Sequence, residues 1–68
     1  MNDYRLRVYE DHFKCYAAGE WDGTYETEWV YEVYDWKSGV LLETQPRGTE
    51  QRAREAGEKA LERWRARR

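Results

Sequence analysis

The stretch from Thr24 to Trp36 constrains this chain more than any other part of it. Tyr25, Thr27, Trp29, Tyr31 and Val33 alternate there with Glu26, Glu28, Val30, Glu32 and Tyr34. A period of two sends successive side chains to opposite faces of a strand, and aromatic and β-branched residues at this density disfavour a helix. One face is an aromatic and aliphatic stripe that needs cover. The other mixes carboxylates with Val30, Tyr34 and Trp36.

Tyr4 to Tyr9 alternates in the same way, with Tyr4, Leu6 and Val8 inward and Arg5, Arg7 and Tyr9 outward. Glu10-Asp11 reads as a polar break. His12 to Ala18 then resumes the alternation, with Phe13, Cys15 and Ala17 inward and His12, Lys14 and Tyr16 outward. Gly19 and the Asp22-Gly23 pair bound a turn that holds Glu20 and Trp21, where Trp21 is either a lid over the core or an exposed contact residue. Asp35 to Gly39 closes the third run, Gly39 being suited to a left-handed loop position. Val40, Leu42 and Thr44 form the inward side of a fourth strand that Pro46 and Gly48 end.

Beyond Thr49, a helix N-cap, the small and apolar residues Ala53, Ala56, Gly57, Ala60, Leu61 and Trp64 follow the helical period. The expected architecture is therefore one α+β domain over residues 1–68. It is a four-stranded antiparallel β-meander (strands about 4–9, 12–18, 24–36 and 40–45) with one C-terminal α-helix, about 50–66, packed on one sheet face.

Can so short a chain hold a core? Leu, Val and Phe total nine of 68 residues, Ile is absent, and the mean hydropathy is −1.23. Four Trp and six Tyr restore the missing apolar area, since each buries roughly 150–250 Å². No apolar run reaches the ~18 residues of a membrane span, and the first twenty residues lack the apolar core of a signal peptide. One cysteine cannot staple the fold, and no zinc-site spacing is present. The expectation is a cytoplasmic protein without cofactor, metal or membrane contact.

Charge is divided along the chain. Residues 1–46 carry ten acidic against four basic residues, whereas residues 47–68 carry eight basic against four acidic. Part of this charge is used up in ordinary pairing: Arg5, Arg7 and Lys14 with Glu26, Glu28 and Glu32 across strands, and Glu50–Arg54, Arg54–Glu58 and Glu55–Lys59 along the helix. The terminal arginines also suit the negative end of the helix dipole.

Gly48, Thr49, Glu50, Ala53, Glu55 and Ala56 at the helix start, together with the order of strands then helix, resemble the small sheet-plus-helix DNA readers of plant AP2 domains and phage integrase arm-binding domains. That resemblance implies DNA reading through basic and aromatic residues on the sheet. The central strand here is acidic instead, so no binding residue is carried over from those families.

Nothing in the sequence assembles an active site. His12 lacks a nucleophile and an orienting partner, Cys15 has the pattern of a packed residue, and Glu26, Glu28 and Glu32 share one strand without an implied cleft. A single helix covers one sheet face only, which leaves the other for a partner. The expected function is a small non-enzymatic module that binds a protein with a basic surface through Tyr9, Tyr16, Trp21, Glu26, Glu28, Glu32, Tyr34 and Trp36. A phage-type inhibitor, of the anti-CRISPR or nucleic-acid-mimic class, is one form this takes by analogy. Two alternatives remain: nucleic-acid binding through Arg63, Arg65, Arg67 and Arg68, and a homodimer that pairs its open sheet faces.

Overall fold

A computed structural model describes residues 3–67. Strands β1 (Tyr4–Ala17), β2 (Glu20–Asp35) and β3 (Leu41–Arg47) precede helix α1 (Glu50–Ala66). The strands form one antiparallel sheet in the order β1-β2-β3. The α+β class, the antiparallel meander and the C-terminal helix are as expected, but the sheet has three strands. The predicted strands 4–9 and 12–18 are a single 14-residue strand.

The supposed break is bridged because Glu10 pairs with Trp29 and Asp11 with Glu28. Polar residues alone do not turn a chain: Glu10 and Asp11 keep their ladder partners on β2, so the strand runs through them without a turn. Continuity also carries the alternation unchanged through residues 10 and 11. Phe13, expected inward, therefore lies on the face away from the helix, and Lys14 and Tyr16 move to the helix side.

The turn, too, lies elsewhere than expected. Ala17 pairs with Glu20 and Tyr16 with Trp21, so Glu20 and Trp21 already belong to β2. Ala18 (φ 53°) and Gly19 (φ 83°) form the two-residue turn, both left-handed as a type I′ hairpin requires. Alanine is a poor occupant of that conformation. Ala18→Asn is accordingly expected to stabilise the hairpin by about 0.5–1 kcal/mol, read from urea unfolding and from slower amide exchange in the flanking strands.

The core lies at the other end of the sheet. Tyr31 and Val33 are buried at its centre, with Tyr4, Leu6, Val8, Leu42, Ala56, Leu61 and Trp64 packed around them. From the helix, Ala53, Gly57 and Ala60 face the sheet and are buried. Their small side chains let the helix approach so closely that a Cβ on Gly57 would lie 2.6 Å from Leu6 Cδ1 and 3.0 Å from Tyr31 Cβ. Thr49 caps the helix as expected, its Oγ1 accepting from Arg52 N at 3.1 Å. Among the described residues, no helix is long and apolar enough to cross a membrane.

An irregularity in β3 turns one carboxylate beneath the helix. Val33 pairs with Glu43 and Tyr34 with Leu41, leaving Leu42 as the extra residue. Glu43, which simple alternation sends to the open face, therefore shares the helix-side face with Val33. Its Oε2 accepts from the Tyr31 hydroxyl at 2.5 Å and from Arg63 Nη2 at 3.1 Å, and its Oε1 accepts from Trp64 Nε1 at 3.1 Å. Sheet and helix are thus joined through one side chain.

Candidate interaction surface

The body of the domain covers only half of the sheet's length. β3 pairs with β2 no farther along than Trp29–Arg47, so from Glu28 to the hairpin tip β1 and β2 run on alone. The eight residues from Glu10 to Ala17 reach about 26 Å at a strand's rise per residue. The resulting arm gives the molecule its elongated shape, 47 × 25 × 15 Å. Glu10 to Lys14 and Glu20 to Glu28 are exposed throughout, because no third strand pairs beside them and the helix lies over the body.

On its helix-side face the arm carries an aromatic cluster. Tyr16 stands opposite Trp21 and Lys14 opposite Tyr25. Trp21 and Tyr25 meet edge to face with centroids 5.3 Å apart, and Lys14 Nζ sits 4.8 Å from the Trp21 ring centre. Between these pairs β1 advances two residues while β2 advances four, so Asp22, Gly23 and Thr24 all stand against Cys15. An even insertion keeps Trp21 and Tyr25 on one face. Gly23 takes the positive φ of 89° that the bulge demands.

The bulge is held by its own side chains. Asp22 Oδ1 accepts from Thr24 N at 2.8 Å and from Thr24 Oγ1 at 2.6 Å, and Trp21 Nε1 donates to Thr24 O at 2.8 Å. The Thr24 hydroxyl and amide hold the Asp22 carboxyl below its usual range. Even so, Tyr16 is 64 % exposed, Tyr25 58 % and Trp21 45 %. Trp21 is therefore no lid over the core, which lies at the opposite end of the sheet.

The open face divides into two zones. Over the body, Arg7 Nε and Nη2 both donate to Glu32 Oε1, and the Tyr9 hydroxyl donates to Oε2 at 3.2 Å. Burial beside Glu32 raises the Tyr9 hydroxyl's pKa. Arg5 lies over the Trp36 ring, and Tyr34 adjoins Trp36 at 6.5 Å. Arg7, Glu32, Tyr34, Gly39 and Leu41 line a groove there that is open to solvent. Along the arm, by contrast, Phe13 is opposite Glu26, and Asp11 is opposite Glu28.

The residues predicted to bind thus fall into separate groups. Tyr16 and Trp21 share the helix-side face of the arm, Glu26 and Glu28 lie on its open face, and Tyr9, Glu32, Tyr34 and Trp36 lie on the body's open face. Glu32 is already neutralised by Arg7. Phe13 and Tyr25, expected inward from the alternation, are exposed arm aromatics; the continuity of β1 and the short reach of the helix are what expose them. Counting carboxylates against lysine and arginine, residues 10–28 hold Glu10, Asp11, Glu20, Asp22, Glu26 and Glu28 against Lys14 alone.

The basic end of the helix is tied back to the body. Arg63 pairs with Glu43, Arg65 Nη2 donates to Tyr4 O at 3.1 Å, and Arg67 stacks on Trp64. Arg68 lies outside the described residues. His12 Nε2 is 3.0 Å from Glu10 Oε1, and no group of three or more metal-binding side chains occurs among the described residues. No protein-family model, curated protein or solved structure matches this chain.

Proposed function

We propose that this chain is a non-enzymatic binding module whose acidic, aromatic β-arm docks on a basic protein surface. One observation carries the reading: the arm projects past both the helix and β3, with six carboxylates against one lysine and with Phe13, Tyr16, Trp21 and Tyr25 exposed. Exposed aromatics beside a surplus of one charge are what a hot spot and its polar surroundings require. The carboxylates steer a basic partner to the arm, and the rings supply apolar contact once water is displaced. A protein groove that normally holds nucleic acid is one such surface, which makes a nucleic-acid-mimic inhibitor the specific form of this proposal.

The test is capture of a protein partner with the arm intact and with its charge reversed. E26K/E28K is expected to weaken a nuclease-resistant partner's binding at least tenfold, and W21A/Y25A by a similar factor, since single hot-spot truncations cost ~2 kcal/mol or more. Both pairs lie outside the core, so circular dichroism should match that of the unaltered chain. Unchanged affinity in both variants would refute the proposal. Retention that vanishes on nuclease treatment would favour nucleic-acid binding by the arginine-rich helix.

A further inference from the structure

The two edges of the sheet are built differently. β3 is a short edge of seven residues, interrupted at Leu42 and carrying Pro46. Those are the devices by which proteins prevent an edge from pairing with another strand. β1 has none of these three and guards its edge with charged side chains alone: it runs 14 residues without glycine or proline, and the inserted residues near the tip belong to β2. Among the described residues, β1 has strand β2 on one side and no strand on the other.

We propose that this edge pairs antiparallel with β1 of a second copy of the same chain, centred on Tyr9. The charge order of the strand selects that arrangement. With Tyr9 opposite its own copy, Arg7 of each chain faces Asp11 of the other, twice by symmetry, and Arg5 faces Phe13. This register also puts both helices on the same side of the joined sheet, because paired residues share a face.

The single chain leaves a defect that this pairing repairs. Asp11 stands directly opposite Glu28, and like charges so placed repel. Among the described residues, the Asp11 carboxylate makes no hydrogen bond or ion pair. Arg7 can serve it, because Glu32 occupies only Nε and Nη2 and leaves Nη1 free. The pairing also sets residues 10–13 of each arm beside residues 5–8 of the other body. A two-stranded ribbon, marginal by itself in water, thereby becomes part of a six-stranded sheet. This inference is independent of the arm's partner, since the outer edge of β2 and the arm's open face stay accessible.

Sedimentation equilibrium of the full chain tests it, with a mass of twice 8.3 kDa expected at tens of micromolar. R7E and D11K each set like charges against one another at both symmetric positions, and each alone is expected to weaken association roughly tenfold or more. An equimolar mixture of R7E with D11K restores opposite charges at both positions and is expected to recover the dimer. As a second readout, Tyr9→Cys in a Cys15→Ser background should cross-link two chains on oxidation, whereas Thr44→Cys on the β3 edge should not. A chain that stays at 8.3 kDa up to millimolar concentration overturns the proposal. So does a dimer that is indifferent to R7E and D11K, or one that the Tyr9→Cys position fails to cross-link, which would indicate pairing through the open faces instead.

Discussion

Gly57→Val is expected to destabilise the fold by about 1–3 kcal/mol, a large share of what a domain of this size holds. A Cβ at this position would already lie 2.6 Å from Leu6 Cδ1 and 3.0 Å from Tyr31 Cβ, and valine adds two methyl groups beyond it. Overpacking a filled core costs ~1–3 kcal/mol, and a domain of this size rarely holds more than ~3–5 kcal/mol in total. Gly57→Ala is the instructive comparison. It gains up to ~1 kcal/mol of helix propensity, but Tyr31 Cβ is anchored to the central strand and cannot swing aside. We expect alanine to be net destabilising as well, by about 1 kcal/mol, because crowding exceeds the propensity gain. Adding Leu6→Val, which withdraws the nearer obstruction, should return part of that loss. Thermal and urea unfolding followed by circular dichroism measure all three. A Gly57→Val chain as stable as the parent would mean that the helix does not seat on the sheet at Gly57.

Glu43→Ala is expected to cost about 2–3 kcal/mol, since it leaves the Tyr31 hydroxyl and the Trp64 indole N–H without their acceptor and Arg63 without its counter-charge. The same carboxylate makes stability depend on pH. The Tyr31 hydrogen bond, assisted by Trp64 and Arg63, holds the Glu43 carboxyl below its ordinary pKa against the opposing effect of burial. A group depressed in the folded state stabilises the fold above its unfolded pKa, and that contribution is lost as pH falls through the folded value. Stability should therefore drop from the ordinary carboxylate range downward, with a shallower acid limb in Glu43→Ala. Tyr31 runs the other way. Burial first, and then the bond to Glu43, raises its hydroxyl pKa, so its contribution is present below the ordinary tyrosine range and is lost as pH rises through the raised value. Because Trp64 donates to Glu43, its fluorescence offers a local probe of the acid limb.

The helix is the element whose limits and buried stripe were fully legible in the sequence. Thr49, Glu50 and the small residues at Ala53, Gly57 and Ala60 define its start and its contact face through interactions within a few turns, and such patterns carry their own evidence. The inward face of the central strand is legible for the same reason, as is the left-handed Gly39 that closes its loop. Charge division is a property of the chain and needs no structure. All of these depend on neighbours no more than a few residues away.

The arm and the Glu43 junction depend on distant partners. Residues 4–17 alternate continuously, yet the polar Glu10-Asp11 pair suits an exposed strand and a turn equally well. Only the register against Trp29 and Glu28 decides between them. That decision moves Phe13 to the open face and makes Tyr16 a neighbour of Trp21 beyond the helix. Glu43 is a similar case, because the extra residue Leu42 reverses the faces of β3 locally and no period within the strand announces it. The sequence by itself determined the helix and its buried stripe, the apolar face of the central strand and how charge is distributed, since those follow from local sterics and composition. Where β1 continues, which aromatics the helix fails to reach, and which carboxylate joins helix to sheet were decided by the tertiary structure, because strand pairing and helix length relative to the sheet are relations between segments far apart in the chain.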